Sequence, residues 1–487
     1  MASDNPPAPN VRGWVRLLIV FVVAFDVAAF FQWADGASQS EFGNHPDEAQ
    51  NYLAGLRTRD VLVRAPEPAG DGEKIPAVSA HDLKWGFTHA LGGWMAIFGT
   101  SRIAVLLFMA ALAAATVTLI FSTVQREHGG WAASVASLLW LCAPAVRESF
   151  ETILPEQLIL TGAALLWARM MDGRSLRRTP VPKWIGPAAL IMSACILAFI
   201  IAVAMEVVHG NSRGTGLILR ECVSVLGIAA TVFAIAGMLI RPRADVQAGA
   251  VRVAMFALVA GVLFSRLLKS GAPDVRVLIV ATPALAILAA RGAVALAGIV
   301  GSQSVAPAEQ SRRRALWLFL LLLLALPPDL LHAWQKDWRG FGPAALTLIE
   351  ESHGPARVLV VSDVRGEGMF ASEMAMRDRD RQITVERGSE TLAQTVCGTP
   401  GCKPEQVFSD DELLAHLTSG RIRYVVLDIA VPYEGHAGYH DQARRVLEGN
   451  VRNFWPAFDN AIIRDGEPHP RALRIFRVLR GDGAELQ

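Results

Sequence analysis

Long apolar runs separated by short charged stretches fill the first two thirds of the chain. Roughly nine of them are long enough to cross ~30 Å of hydrocarbon: 14–31, 102–121, 131–146, 157–171, 184–205, 217–240, 251–268, 277–299 and 315–334. The third and fourth are short. The stretch "GFTHALGGWMAIF" (86–98) predicts a short or re-entrant helix. From about residue 336 the pattern changes. "ARVLVVSDV" (356–364) and "RYVVLDIAV" (423–431) are short, β-branched runs ended by polar residues, the signature of buried strands. "EGMFASEMAMRDR" (367–379) and "DDELLAHLTSG" (410–420) have helical character, with Gly420 as a stop. The expected fold is therefore a polytopic α-helical membrane protein, residues 1–335, followed by a C-terminal soluble α/β domain, residues 336–487.

Composition agrees with this division. Of 487 residues, 52% are hydrophobic and 19% charged, with a mean hydropathy of +0.34. A soluble chain of this length would carry about 25% charged residues. The net charge of +1 gives no sign of a nucleic-acid partner.

Positive residues orient the spans. Arg12 and Arg16 precede the first. Arg174, Arg177, Arg178 and Lys183 lie between the fourth and fifth, Arg241, Arg243 and Arg252 around the next such loop, and Arg312, Arg313 and Arg314 before the last. Nine spans put all four groups in the cytoplasm. The outward loop 32–88 and the α/β domain then lie outside it, which fits a bacterial inner membrane with a periplasmic domain. The first span is long enough to remain as an anchor rather than a cleaved signal. Cys397 and Cys402, in "CGTPGC", flank turn chemistry, and an oxidising compartment makes them a disulfide candidate; a free or metal-binding pair is the alternative.

Two adjacent carboxylates, Asp47 and Glu48, follow the first span in "FGNHPDEAQNY". As ordinary structure, Pro46 opens a helix, the two acids favour its N-terminus, Asn44 or His45 caps it, and Ala49, Leu53 and Leu56 form the buried stripe. As chemistry, the acids stand in an outward loop at the membrane face. The second outward loop, "RESFETILPEQL" (147–158), adds Glu148, Glu151 and Glu156. A carboxylate there can act as a general base on a sugar hydroxyl or hold a divalent metal.

Other polar residues have simpler readings. Asp26 lies inside the first span, where an acid is a functional candidate, with a bond to a neighbouring helix as the alternative. His45, His81 and His89 match no metal spacing. "RGEG" (365–368) resembles a phosphate turn without the spacing of a dinucleotide fingerprint. "RDRDRQ" (377–382) predicts a solvated surface, and Arg102 an interfacial snorkel.

The order of these pieces resembles the GT-C glycosyltransferases, polytopic enzymes that use lipid-linked sugars and include protein mannosyltransferases and aminoarabinose transferases. "HPDEAQNYLAGL" (45–56) is similar to their acidic pair and short helix. "WMAIFGTSRIAV" (94–105), "LPEQLILTGAALLWARMM" (154–171) and "DVRVLIVATPALAILAARGA" (274–293) follow in the family's order over roughly residues 10–335. The chain departs from many relatives in having Gly86-Phe87 for Pro-Pro and Arg276-Val277 for Arg-Tyr.

The resemblance implies a polyprenyl-phosphate sugar donor and a lipid, glycan or protein acceptor. It implies Asp47 as general base, Glu48 as a positioning acid, and Glu156 as a second acid that orients the acceptor or binds a metal. Arg276 would stabilise the leaving phosphate, with Lys84 and Arg102 as further candidates. No cofactor is required beyond a divalent metal in some arrangements. Two other readings are a non-catalytic membrane scaffold or glycan-binding protein of the same fold, and a transporter. A transporter would be expected to carry inverted repeats or paired broken helices, and neither is visible.

Overall fold

The computed structural model describes residues 11–43, 45–63, 84–171, 282–283, 285–287, 289, 292–293, 336–394, 405–419, 421–429, 431, 437–464 and 470–479. The spans expected at 184–205, 217–240, 251–268 and 315–334 lie outside these residues, as do Gly420 and most of the span expected at 277–299.

The chain divides into two compact units, both discontinuous in sequence. One comprises residues 1–32, 107–151 and 155–334, and the other residues 33–106, 152–154 and 335–487.

Helix α1 (Val11–Ala34) up to residue 32, helix α4 (Arg102–Cys142) from residue 107, α5 (Pro144–Glu151) and α6 (Glu156–Met171) belong to the first unit, with the described residues between 282 and 293. Among the described residues two helical stretches are long and apolar enough to cross a membrane, Gly13–Ala34 and Arg102–Arg126. Helix α1 leaves Trp14, Leu18, Ile19, Val22, Val23 and Phe30 exposed, a surface suited to hydrocarbon rather than water. Helix α4 breaks at Gly129, whose φ of 84° and ψ of 173° are not helical. The run expected at 131–146 does not continue through residue 146. Pro144 cannot donate to the helical ladder, and His128–Cys142 and α5 meet at 66°.

The second unit joins residues 33–106 to the α/β region. Helix α2 (Pro46–Val63) and helix α3 (Lys84–Phe98) form a tight pair. A Cβ on Gly92 would stand 2.6 Å from the Thr58 Cβ and 2.8 Å from the Gly55 carbonyl oxygen, so only glycine fits this crossing. The buried stripe of α2 is Ala49, Tyr52 and Leu56, with Leu53 only half-buried. Residues 35–43 pair with 336–342: Lys336 N–H donates to Asp35 O at 2.9 Å, and Glu41 N–H to Trp338 O at 2.7 Å.

The α/β region runs α7 (Phe341–Ser352), β1 (Ala356–Val361), α8 (Val364–Arg377), β2 (Ile383–Arg387), α9 (Gly388–Thr391), β3 (Ala393–Gln394), β4 (Glu405–Gln406), α10 (Asp410–Thr418), β5 (Tyr424–Asp428), α11 (Gly438–Gly449), β6 (Phe454–Ile462) and β7 (Arg471–Val478). The main sheet has the order β2-β1-β5-β7-β6. Strands β2, β1 and β5 are parallel, while β7 and β6 are antiparallel. Alternation of period two sorts the core. Leu359, Val361, Val425, Leu427 and Phe476 pack with α10 and α11, and Val358, Val360, Val426 and Ile475 pack with α7 and α8. Helices on both faces account for the near-continuous apolar strands.

Helix α8 starts at Val364, before the expected 367. Asp363 caps it, its Oδ1 accepting the Gly366 N–H at 3.1 Å. The "RGEG" stretch is therefore helical and not a phosphate turn, with Glu367 pointing into the core.

Candidate active site

Helix α2 starts at Pro46, and His45 caps it. His45 Nδ1 accepts the Asp47 N–H at 3.0 Å. A ring nitrogen that accepts this bond carries no proton, so its 3.9 Å approach to Asp47 Oδ2 is not an ion pair. The Asp47 side chain is 36% exposed on the first turn.

Its neighbour has a different environment. Glu48 is buried, and its Oε1 accepts the Ile153 N–H at 3.2 Å. One turn later the buried Asn51 donates from Nδ2 to Ile153 O at 2.8 Å. The two acids of the pair are thus split by the helix period: one meets solvent, and the other binds a distant backbone.

Asp47 and Glu48 belong to the second compact unit, and Glu156 to the first. Glu156 is the first residue of α6 and half-buried, in the position a helix N-terminus favours for an acid. Lys84 opens α3. Arg276, Cys397 and Cys402 lie outside the described residues. Asp26 is exposed on α1. Among the described residues no three His, Cys, Asp or Glu side chains are grouped to hold a metal ion.

Arg102 is not a snorkelling side chain. Its Nη2 bonds Glu373 Oε1, and Arg377 Nη1 bonds Glu373 Oε2. The Arg102 guanidinium also lies 5.5 Å from the centre of the Phe42 ring, which packs on Tyr52 at 5.0 Å. The adjacent Glu41 accepts N–H bonds from Gly340 (3.0 Å), Phe341 (3.0 Å) and Gly342 (2.7 Å), and so caps α7 with a carboxylate. Burial, with Glu373 beside it, raises the Glu41 carboxyl to about 7 against the pull of those three donors.

The run "RDRDRQ" is only partly a solvated surface. Asp378 is buried and accepts the Ile383 N–H at 2.7 Å. Arg381 has a φ of 56° and reaches Asp60 Oδ2 with its Nε at 3.4 Å. These residues help to line a crevice of about 520 Å³ bounded by α2, α8 and the start of β2. Gln50, Asn51, Ala54 and Arg57 form its α2 wall. Spaced at three and four residues, they continue the helix face on which Asp47 stands.

At the other end of the α/β region, Arg464 fills the C-terminal edge of β1 and β5. Nη1 is 3.0 Å from Asp363 Oδ1, and Nη2 bonds Asp428 Oδ2. Ser362 Oγ donates to Asp428 Oδ2 at 2.8 Å. In the first unit, the buried Arg147 lies 4.5 Å from the Phe31 ring centre and 3.9 Å from Glu151. The local sequence does not mark Arg381, whose partner Asp60 lies 321 positions away, or the stacking of Arg147 over Phe31.

No protein-family model matches the chain, and no curated protein does. Among solved structures it is similar to ArnT from Cupriavidus metallidurans in the apo state, at 11% identity and a TM-score of 0.47 over 98% of this chain and 99% of that one. It is also similar to that protein bound to undecaprenyl phosphate, at 12% identity and a TM-score of 0.44 over 98% of this chain and 100% of that one.

Proposed function

We propose that the protein is a membrane glycosyltransferase that moves a sugar from a polyprenyl-phosphate donor to an acceptor hydroxyl on the non-cytoplasmic side. The observation that carries this reading is the division of labour within the acidic pair. Asp47 meets solvent at the start of α2, shortly after an apolar helix, while Glu48 is consumed in holding Ile153.

In the reaction, the Asp47 carboxylate takes the proton of the acceptor hydroxyl. The acceptor oxygen attacks the anomeric carbon, and the bond from that carbon to the phosphate oxygen breaks. Polyprenyl phosphate leaves with the electron pair, and the anomeric centre inverts. The departing oxyanion needs cationic support, for which Arg276 and Lys84 are the candidates. Glu156 orients the acceptor. Glu48 is a positioning residue, acting through the 152–154 segment.

The test is sugar transfer in membranes carrying wild type, Asp47→Asn or Glu156→Gln, supplied with radiolabelled polyprenyl-phosphate sugars. Loss of a general base lowers the rate by about 100- to 10,000-fold. Normal insertion with that loss in Asp47→Asn supports the reading. Transfer by Asp47→Asn at the wild-type rate overturns it.

A further inference from the structure

The crevice between α2 and the α8–β2 edge has a volume of about 520 Å³, within the ~300–1,000 Å³ range of small-molecule sites. Its charge is unbalanced. Three arginines line it, Arg57, Arg381 and Arg387, against two acids, Asp378 and Glu390. Asp378 is already committed to the Ile383 N–H at 2.7 Å. Glu390 has a side chain 71% exposed and stands 3.6 Å from Arg387, a loose rim pair that water screens.

The cations are placed to receive an anion. Arg57 is exposed on α2 and makes no ion pair with a described residue. Arg381 bonds through Nε and Nη1 to Asp60, Ala375 and Asp378, and its Nη2 makes no bond to a described residue. It takes a positive φ of 56° in doing so. A non-glycine residue in that region is strained, and such strain persists where surrounding structure holds the side chain to a task. Guanidinium forks match carboxylate and phosphate geometry. The exposed Gln50 on the α2 wall adds an amide group of the kind that binds sugar hydroxyls.

We propose that this crevice binds a saccharide bearing an oxyanion, phosphate or carboxylate, with Arg57, Arg381 and Arg387 holding the charge. Resting on the transferase reading above, it would be the acceptor subsite. Asp47 lies three residues before Gln50 on the same helix, about 4.5 Å along the axis. A sugar seated against α2 would thus present a hydroxyl toward that carboxylate.

The test uses the full chain in detergent and titration calorimetry with glucose 6-phosphate, glucuronate and glucose. At least one anionic sugar is expected to bind tenfold or more tightly than glucose, and which one does so distinguishes phosphate from carboxylate. Arg57→Gln and Arg387→Gln should each weaken that binding about tenfold, with thermal unfolding unchanged. Arg57 decides the matter if Arg387→Gln also loses stability, because Arg57 has no ion-pair partner among the described residues to lose. Asp47→Asn should keep the binding while losing transfer. Equal affinity for all three sugars, or binding unaffected by Arg57→Gln, overturns the proposal even where the transferase reading holds. If Asp47→Asn transfers normally and the anions still bind, the crevice is an anion site and its acceptor role falls.

Discussion

Glu48 and Ile153 are joined across 105 residues by a single 3.2 Å bond from the Ile153 N–H to a buried carboxylate. Asn51 holds the carbonyl of the same residue at 2.8 Å, so one turn of α2 satisfies both backbone groups of Ile153. This fixes the segment 152–154 to the helix that carries Asp47, in a part of the chain where no secondary structure would satisfy those groups.

Removing the Glu48 carboxylate leaves a buried N–H without an acceptor, which costs about 1–3 kcal/mol. Glu48→Ala should therefore lower the midpoint of thermal unfolding of the full chain in detergent. Glu48→Gln, which keeps an acceptor oxygen, should retain most of the stability and of the transfer activity. An unfolding midpoint that is the same in all three proteins would remove Glu48 from its positioning role.

The Arg102–Glu373 contact makes a second expectation. The Glu373 side chain is 0% exposed and receives Arg102 on one oxygen and Arg377 on the other. Breaking a buried pair by removing one partner costs about 3–5 kcal/mol, because a charge is left uncompensated. Arg377 remains in this case, so Arg102→Met should fall at the lower end of that range. Neutralising the stranded acid as well, in Arg102→Met with Glu373→Gln, should recover part of the loss. Chemical denaturation of the four proteins of this cycle measures the coupling, and additive effects would show that the pair is not an energetic unit.

The parts of this architecture that were legible in the sequence are those governed by local pattern. The strands at β1 and β5 show as β-branched runs because both faces of the sheet are covered and all positions but Arg357 and Asp428 are apolar. Pro46 marked the start of α2 because its missing N–H costs nothing there. What was not legible depends on partners far along the chain. Arg102 read as a snorkelling residue because Glu373, 271 positions away, carries no mark of its role. Asp378 and Arg381 read as surface charges because the fold of α8 onto β2, and the approach of Asp60, are not local events. The sequence pattern starts α8 three residues late because its cap, Asp363, lies in the same run of residues as strand β1. Within the acidic pair, adjacency suggested a shared task, and only the helix period separates the two side chains.

The pH dependence of stability should reveal Glu367. Burial raises its carboxyl from 4.5 to about 8, although bonds from Ser389 and Ser362 favour the anion. Between these values the folded protein keeps a proton that the unfolded chain has released. Stability is then complete below pH 4.5 and falls as pH rises toward 8, by up to about 1.4 kcal/mol per pH unit. Glu41, raised to about 7, adds a contribution of the same sign up to that pH. Glu367→Gln has no proton to lose, so its unfolding midpoint should decline less than that of wild type between pH 5 and pH 8. Parallel declines in the two proteins would place the titration elsewhere.

Arg464 tests whether the shape of the guanidinium, and not only its charge, holds the α/β region together. Strand β1 connects through α8 to β2 on one side, and β5 leads to strands on the other, so the connections after β1 and β5 part at the place where open α/β sheets often leave a crevice. Here protein side chains occupy it. The Arg464 side chain is 2% exposed and spans two acids, with one nitrogen to Asp363 from the turn after β1 and another to Asp428 at the end of β5. A lysine ammonium is a single point and cannot address both carboxylates with the same fork. Arg464→Lys should therefore be destabilised despite its conserved charge, since Asp428 is fully buried and cannot recover its bond from water. Arg464→Met should lose more, about 3–5 kcal/mol, because both acids are then left without their cation. Asp428→Asn in the Arg464→Met background should restore part of that loss. Chemical denaturation of each full chain in detergent, followed by circular dichroism, measures these differences. A lysine variant as stable as wild type would show that charge alone suffices and that the bridging geometry contributes nothing.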